Sequence, residues 1–97
     1  MDEALAQVAL DISGRGLLVY DVVLPAAQVG TFDTELVPEF LRAVAHNAGI
    51  TLHAHLLSGT NTHHAIEALF KALGRALGQA TALDPRRQGV ASTKGML

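Results

Sequence analysis

The segment ITLHAHLLSGTNTHHAIEALFKALGRALGQA, residues 50–80, changes from a two-residue to a helical hydrophobic repeat near its middle. Its first part places apolar residues at alternate positions, which predicts a strand with one buried face. Ser58-Gly59 then turns the chain, and Thr60 or Asn61 can cap a helix that runs to about Ala80. The segment therefore predicts a strand that leads directly into a long amphipathic helix.

Upstream of this segment the residue pattern predicts three further strands. Residues 4–13 alternate between apolar and mixed positions, and residues 17–24 form a run rich in β-branched and aromatic side chains. Between them, residues 13–16 have turn chemistry, so the two strands are predicted to form a hairpin. Residues 28–32 predict a short third strand.

A first helix is predicted between these strands and the segment 50–80. Asp33 or Thr34 can cap it, and Asn47-Ala48-Gly49 stops it. Two apolar stripes at helical spacing mark the predicted buried faces of the two helices: Val37, Phe40, Leu41, Val44 and Ala48 in the first, and Ile66, Leu69, Phe70, Leu73, Ala76 and Leu77 in the second. The order β-β-β-α-β-α predicts an α+β fold, one mostly antiparallel four-stranded sheet with two helices on one face.

Length and composition favour one domain, residues 1–97, with a polar, non-periodic C-terminal tail over residues 84–97. A chain this short is marginally stable alone and gains from oligomerisation. Charged residues make up 16% of the chain, below the average of about 25% for globular proteins. The low charge content indicates that part of the surface is an interface between subunits.

Several classes of function are disfavoured by the composition. The net charge of −2 and the pI near 6.2 argue against a nucleic-acid partner. The chain has no cysteine, which rules out disulfides and thiolate metal sites. The acidic start Met1-Asp2-Glu3 is unlike a signal peptide, and no apolar run approaches the ~20 residues of a membrane span. A cytoplasmic location is the expectation.

A group of histidines in and before the second helix is the main functional signal. His63 and His64 lie four and three residues before Glu67, so both can neighbour that carboxylate on a helix. Adjacent helical residues point about 100° apart. The two histidines therefore suit two ions, or one ion each at a subunit boundary, and with His53 from the strand they form the candidate ligand set. Imidazole and carboxylate without sulfur suit manganese, iron, nickel or zinc.

An ordinary explanation competes with the metal site, because a His-His pair near a helix start is more often a surface feature than a set of ligands. His46 is interpreted as structural, since the last turn of a helix favours a cation. For His55 the pattern leaves two readings open, a residue at the rim of the site or a partner of a ligand.

Five motifs, taken in order, resemble imidazoleglycerol-phosphate dehydratase. They are VGTFDTEL at 29–36, NAGITLH at 47–53, SGTNTHHAIEA at 58–68, DPRR at 84–87 and STKG at 92–95. The resemblance covers essentially the whole chain and is to the C-terminal half of the enzyme. That family is built from two similar halves, each with its own HHxxE helix.

The resemblance implies a fold of the ribosomal protein S5 domain 2-like type and the elimination of water from imidazole glycerol phosphate in histidine biosynthesis. It implies a two-manganese lyase whose metals sit at subunit boundaries, with other divalent ions also possible. The residue roles that it implies fall into three groups: His53, His63, His64 and Glu67 as metal ligands, Glu67 as the catalytic candidate, and Arg15, Ser92, Thr93 and Lys94 as ligands of the substrate phosphate.

Three departures from the family pattern shape the functional hypotheses. The N-terminal half is absent, His55 and Thr60 stand where the family usually has arginine and lysine, and Pro38 in the first helix is unusual. The first hypothesis is half an enzyme, inactive until a complementary N-terminal half supplies the remaining ligands. The alternative is a metal-binding homo-oligomer, in which copies of this chain occupy both positions without catalysis. A third hypothesis is a folded fragment without a specific ligand.

Overall fold

A computed structural model describes residues 3–82 and confirms the α+β class with two helices. The predicted tail over residues 84–97 lies outside the described part of the chain. The elements in chain order are β1 Leu5–Asp11, β2 Leu17–Asp21, β3 Gln28–Val29, β4 Phe32–Asp33, α1 Leu36–Ala48, β5 Thr51–Ser58 and α2 Thr62–Thr81.

The main sheet has β5 in its centre, with β1 antiparallel on one side and β2 parallel on the other. The predicted β1–β2 hairpin is therefore wrong. The turn after β1 crosses the end of β5, where the backbone N–H of Gly14 donates to Gly49 O at 2.8 Å and that of Leu17 donates to Ile50 O at 3.1 Å. The central strand β5 gains ladder hydrogen bonds on both sides in this order, which pairs its backbone N–H and C=O groups.

The predicted third strand folds into a separate two-stranded sheet of β3 and β4. Among the described residues the main sheet is thus three-stranded and mixed, not four-stranded and mostly antiparallel. Gly30 adopts φ +60°, which allows a two-residue turn between the two short strands. Thr34 donates to Ala26 O at 2.9 Å and Thr62 accepts from the Ala26 N–H at 3.1 Å, so this hairpin is fixed beside the start of α2.

Both helices cover the same face of the sheet, α2 mainly over β1 and α1 mainly over β2. On β5, Leu52 and Ala54 are fully buried beneath them, as the alternating pattern predicts. The buried cluster consists of Val37, Leu41, Ala45, Ile50, Leu52, Ala54, Leu69 and Leu73. The opposite face of the sheet carries no helix in residues 3–82.

The helix ends match the sequence in part. Asn61 caps α2, because its side chain accepts from the His64 backbone N–H at 2.9 Å. At α1 the cap position is Glu35, without a side-chain cap hydrogen bond, so neither predicted residue caps that helix. Asp33 instead accepts from the Glu35 N–H at 3.2 Å. Glu35 precedes the first helical residue, Leu36, so this hydrogen bond does not cap the helix. Gly49 ends α1 as predicted.

Candidate metal centre

The N-terminal part of α2 presents His63 and Glu67 as a hydrogen-bonded pair. His63 Nε2 lies 2.6 Å from Glu67 Oε1, at the i,i+4 spacing read from the sequence. The His63 side chain is 62% exposed and that of Glu67 47% exposed. Both groups are thus open to solvent, to a metal ion or to a neighbouring molecule.

His64 points away from this pair and contacts the N-terminal segment. Its Nδ1 lies 2.6 Å from Glu3 Oε2. The rings of His63 and His64 are 6.1 Å apart and inclined by 63°. The two rings thus diverge, as expected of adjacent residues on a helix. Sequence reasoning missed Glu3 because nothing in the local pattern links it to a residue 61 positions downstream.

The Glu3 carboxyl is strongly acidified by its surroundings. The hydrogen bond with His64, and next the hydrogen bond from its own backbone N–H, lower its pKa from the ordinary 4.5 to about 2. Glu3 is therefore an ionised acceptor at neutral pH. A second carboxyl group accordingly stands beside the helix start, in addition to that of Glu67.

His53 and His55 lie on the sheet face that the helices leave open. They alternate with the buried Leu52 and Ala54 along β5, and their rings stack at 6.2 Å with an interplanar angle of 22°. His55 Nδ1 lies 3.3 Å from Asp21 Oδ2 on the neighbouring strand. Within one chain, His53 is therefore separated by the sheet from His63 and Glu67.

Arg15 lies at the far end of the sheet from the α2 histidines. It is exposed in the turn beside Thr51, where Ser13 Oγ is 2.9 Å from Thr51 Oγ1. The α2 histidines follow Ser58, and strand β5 separates the two ends by roughly 23 Å at about 3.3 Å per residue. The other predicted phosphate ligands, Ser92, Thr93 and Lys94, fall outside the described residues.

The donor set at the start of α2 suits a divalent metal, since imidazoles and carboxylates without sulfur are ligands for manganese and its neighbours. However, no three His, Asp or Glu side chains within residues 3–82 come together in a group that could hold a metal ion. His63 and Glu67 could share one ion and His64 could bind another. In each case further ligands must come from outside the described part of one chain.

An open aromatic surface borders these groups. Phe32 and Phe70 line two adjoining hollows of about 500 and 510 Å³. Phe40 also lines the first hollow, and His63 and Glu67 also line the second. The rings of Phe40 and Phe70 lie 5.5 Å apart, and their residues are 49% and 37% exposed. The prediction that both belong to the buried helix faces is thus wrong. Spacing locates an apolar stripe but does not show which edge of it stays open.

Comparison with known proteins shows the family. The sequence profile of imidazoleglycerol-phosphate dehydratase matches residues 1–77. The chain belongs to this family. It is 65% identical over its whole length to the imidazoleglycerol-phosphate dehydratase of Desulforamulus reducens and 60% identical to that of Moorella thermoacetica.

Solved imidazoleglycerol-phosphate dehydratases share the fold as well. The crystal structure from Staphylococcus aureus matches 87% of this chain with a TM-score of 0.84 and 57% identity, over 49% of that chain. The structure from Pyrococcus furiosus matches all of this chain with a TM-score of 0.80 and 43% identity, over 53% of that chain.

The chain spans about half the length of the curated dehydratases that it matches, 50% in the two relatives named above. In this chain Arg15, His53 and the pair His63–Glu67 lie apart from one another, and the chain corresponds to only one half of those dehydratases. Separately, none of the helices in residues 3–82 is long and apolar enough to cross a membrane.

Proposed function

We propose that this chain supplies the C-terminal half of an imidazoleglycerol-phosphate dehydratase, which eliminates water from imidazole glycerol phosphate in histidine biosynthesis. On this proposal it binds Mn²⁺, acts in the cytoplasm and is inactive without a complementary half. The observation that carries the proposal is the divergence of its candidate groups. Arg15, His53 and the pair His63–Glu67 lie at one end, on the back and at the other end of a single sheet.

The chain's own residues have separate roles in this proposal. His63 with Glu67 would hold one divalent ion and His64 another, and further ligands such as His53 would come from another copy or half. The metal would act as a Lewis acid toward the substrate imidazole and orient it. Glu67, hydrogen-bonded to His63, is the candidate carboxylate for moving a proton near the ring. Arg15, with Ser92, Thr93 and Lys94, would bind the remote phosphate and contribute binding energy away from the reacting atoms.

A complementation experiment tests the activity. The full chain is assayed with Mn²⁺ and imidazole glycerol phosphate, alone and mixed with the N-terminal half of the Desulforamulus reducens relative. We expect turnover only in the mixture. Turnover by the chain alone at the rate of a full-length relative would contradict the requirement for a second half. An inactive mixture that contains a stable complex would contradict the proposed enzymatic role.

The surface of the chain favours a second candidate, a metal-binding homo-oligomer without dehydratase activity. The open sheet face exposes Leu5, Leu17 and Leu57, each more than half accessible, and the phenylalanines form a second apolar surface. Apolar patches of this kind mark association sites. The experiment is elemental mass spectrometry on the peak from a calibrated sizing column, with and without chelator. A large, metal-loaded assembly that dissociates on chelation supports this candidate, and a metal-free monomer contradicts it.

A further inference from the structure

The contact between Glu3 and His64 has the geometry of a metal ligand held by a carboxylate. His64 Nδ1 and Glu3 Oε2 are 2.6 Å apart. An ionised carboxylate only accepts hydrogen bonds, so the Nδ1 atom of His64 carries the hydrogen. The other ring nitrogen, Nε2, is then the one with a lone pair for a ligand. Metal-bound histidines characteristically donate their second ring N–H to such a partner.

Glu3 is held in this position by the backbone. Ser58 Oγ donates to the Glu3 carbonyl at 3.0 Å, which ties the segment before β1 to the end of β5. Gly59 allows the two segments to lie this close, because a Cβ atom there would come within 3.2 Å of Ala4. The carboxylate therefore reaches α2 from a defined direction.

His64 is fixed from its own side as well. Its backbone N–H donates to Asn61 Oδ1 at 2.9 Å. This helix cap fixes the backbone from which the His64 ring projects. The ring is 35% exposed, against 62% for the neighbouring His63. His63 uses its Nε2 atom toward Glu67, whereas His64 uses its Nδ1 atom toward Glu3. The two adjacent histidines thus present different nitrogens to their surroundings.

We propose that Glu3 is a positioning residue for His64: it holds the Nδ1–H form of the ring and directs Nε2 toward a divalent metal. This inference rests on the proposed metal site and adds to it a residue outside the HHxxE motif. Glu3 acts through His64 and is not itself a ligand in this proposal. As a solvent-accessible side-chain contact it contributes little to folding, so its main effect falls on metal binding.

The test compares full-length variants by titration with Mn²⁺ alone, following the signal of free Mn²⁺ by electron paramagnetic resonance. Glu3→Ala should weaken Mn²⁺ binding about 10- to 100-fold, the usual effect of removing a carboxylate partner of a ligand. Glu3→Gln, whose amide oxygen still accepts from Nδ1–H, should retain part of the affinity. Asp21→Ala is the matched control, since it removes the comparable partner of His55 on the open sheet face. Equal losses in Glu3→Ala and Asp21→Ala would overturn the proposal.

A second measurement separates positioning from direct ligation. Two-bond ¹H–¹⁵N correlation spectra of the metal-free chain at about pH 8.5, two units above the ordinary histidine pKa, report which ring nitrogen carries hydrogen. We expect the Nδ1–H form of His64 in the intact chain and its loss in Glu3→Ala. A ring that keeps this form in Glu3→Ala overturns the positioning role, whether or not Mn²⁺ binding falls.

His64→Ala distinguishes this inference from the proposed function. If His64→Ala loses Mn²⁺ binding while Glu3→Ala keeps both the affinity and the ring form, only the role of Glu3 fails. If His64→Ala binds Mn²⁺ like the intact chain, the proposed metal site itself fails, and the inference with it.

Discussion

The two ends of strand β5 are built by different means. At the Thr51 end, backbone groups hold the turn that carries Arg15, and Gly16 packs against the backbone of α1. At the Ser58 end, side chains dominate, because Glu3 and Glu67 each form a contact of 2.6 Å with a histidine of α2. Charged side chains can exchange a partner for a ligand, whereas backbone ladders cannot. The Thr51 end is thus fixed by backbone contacts, whereas the side chains at the Ser58 end can bind a ligand.

This comparison predicts which changes affect stability and which affect binding. Substitution of Gly16, the packed glycine at the Thr51 end, should destabilise the fold without altering the metal site. Substitutions at the Ser58 end should change metal binding at a smaller cost to stability.

Gly16→Ala should destabilise the chain most, by about 3 kcal/mol, the upper range for overpacking. Its Cβ atom would lie 2.5 Å from His46 Cα and 2.9 Å from Ala45 O, both backbone atoms of α1. Urea unfolding at fixed chain concentration measures the change. Gly74→Ala in α2 is the control, because a Cβ added there would meet nothing within 4 Å beyond its own helix backbone. A loss below about 1 kcal/mol would show that α1 yields at this contact.

Gly59→Ala should destabilise by about 2 kcal/mol, within the usual range for a strained backbone position. Gly59 has φ +132°, and an added Cβ would meet Ala4 at 3.2 Å. Because this contact also places Glu3, Mn²⁺ affinity should fall in Gly59→Ala but stay normal in the folded fraction of Gly16→Ala. Similar Mn²⁺ affinities in the two variants would remove the distinction between the two ends.

Arg15→Ala should change the free energy of unfolding by less than about 0.5 kcal/mol, as exposed substitutions usually do. Its effect should instead appear as a KM for imidazole glycerol phosphate raised by about tenfold or more in the enzyme reconstituted with the N-terminal half, since a charge-assisted contact is lost. Arg42→Ala, an exposed arginine of α1, is the control. An unchanged KM in Arg15→Ala would exclude it as a phosphate ligand.

Acid should weaken the Glu3–His64 contact. Its effect on the free energy of unfolding should be the smallest of the four, because Glu3 is exposed. The Glu3 pKa in the folded chain, about 2, lies below its ordinary 4.5, since the hydrogen bond with His64 favours the charged form. The stabilisation is therefore complete above pH 4.5 and is lost as the pH falls through 2. Carboxyl ¹³C titration measures this pKa, which should return toward 4.5 in His64→Ala. Titration of Glu3 near 4.5 in the intact chain would contradict the contact.

Sequence reasoning predicted the strand and helix of residues 50–80 well, because each has its own hydrophobic period and Asn61 provides a cap. It did not predict which strands pair with β5. An alternating pattern states which face of a strand is buried, but the ladder partner depends on where the chain crosses. The hairpin predicted from residues 13–16 therefore became a crossover that places β1 and β2 on opposite sides of β5.

The candidate site was predictable only as a set of residue types. The HHxxE spacing located His63, His64 and Glu67 near the start of one helix. The structure places His63 Nε2 2.6 Å from Glu67 Oε1. Their separation from His53 followed from the strand alternation only after the helices were assigned to one face. Phe40 and Phe70 were misplaced because helical spacing does not show where a neighbouring element ends.

By itself, the sequence determined the α+β class, the two helices, the buried face of β5 and the family membership, since local periodicity, capping and motif spacing are properties of neighbouring residues. Only the tertiary structure decided that β5 is central, that Glu3 reaches His64, and that Arg15 and the α2 histidines lie at opposite ends of the sheet. These features join residues far apart in the chain. They depend on how the elements pack together, which no local pattern specifies.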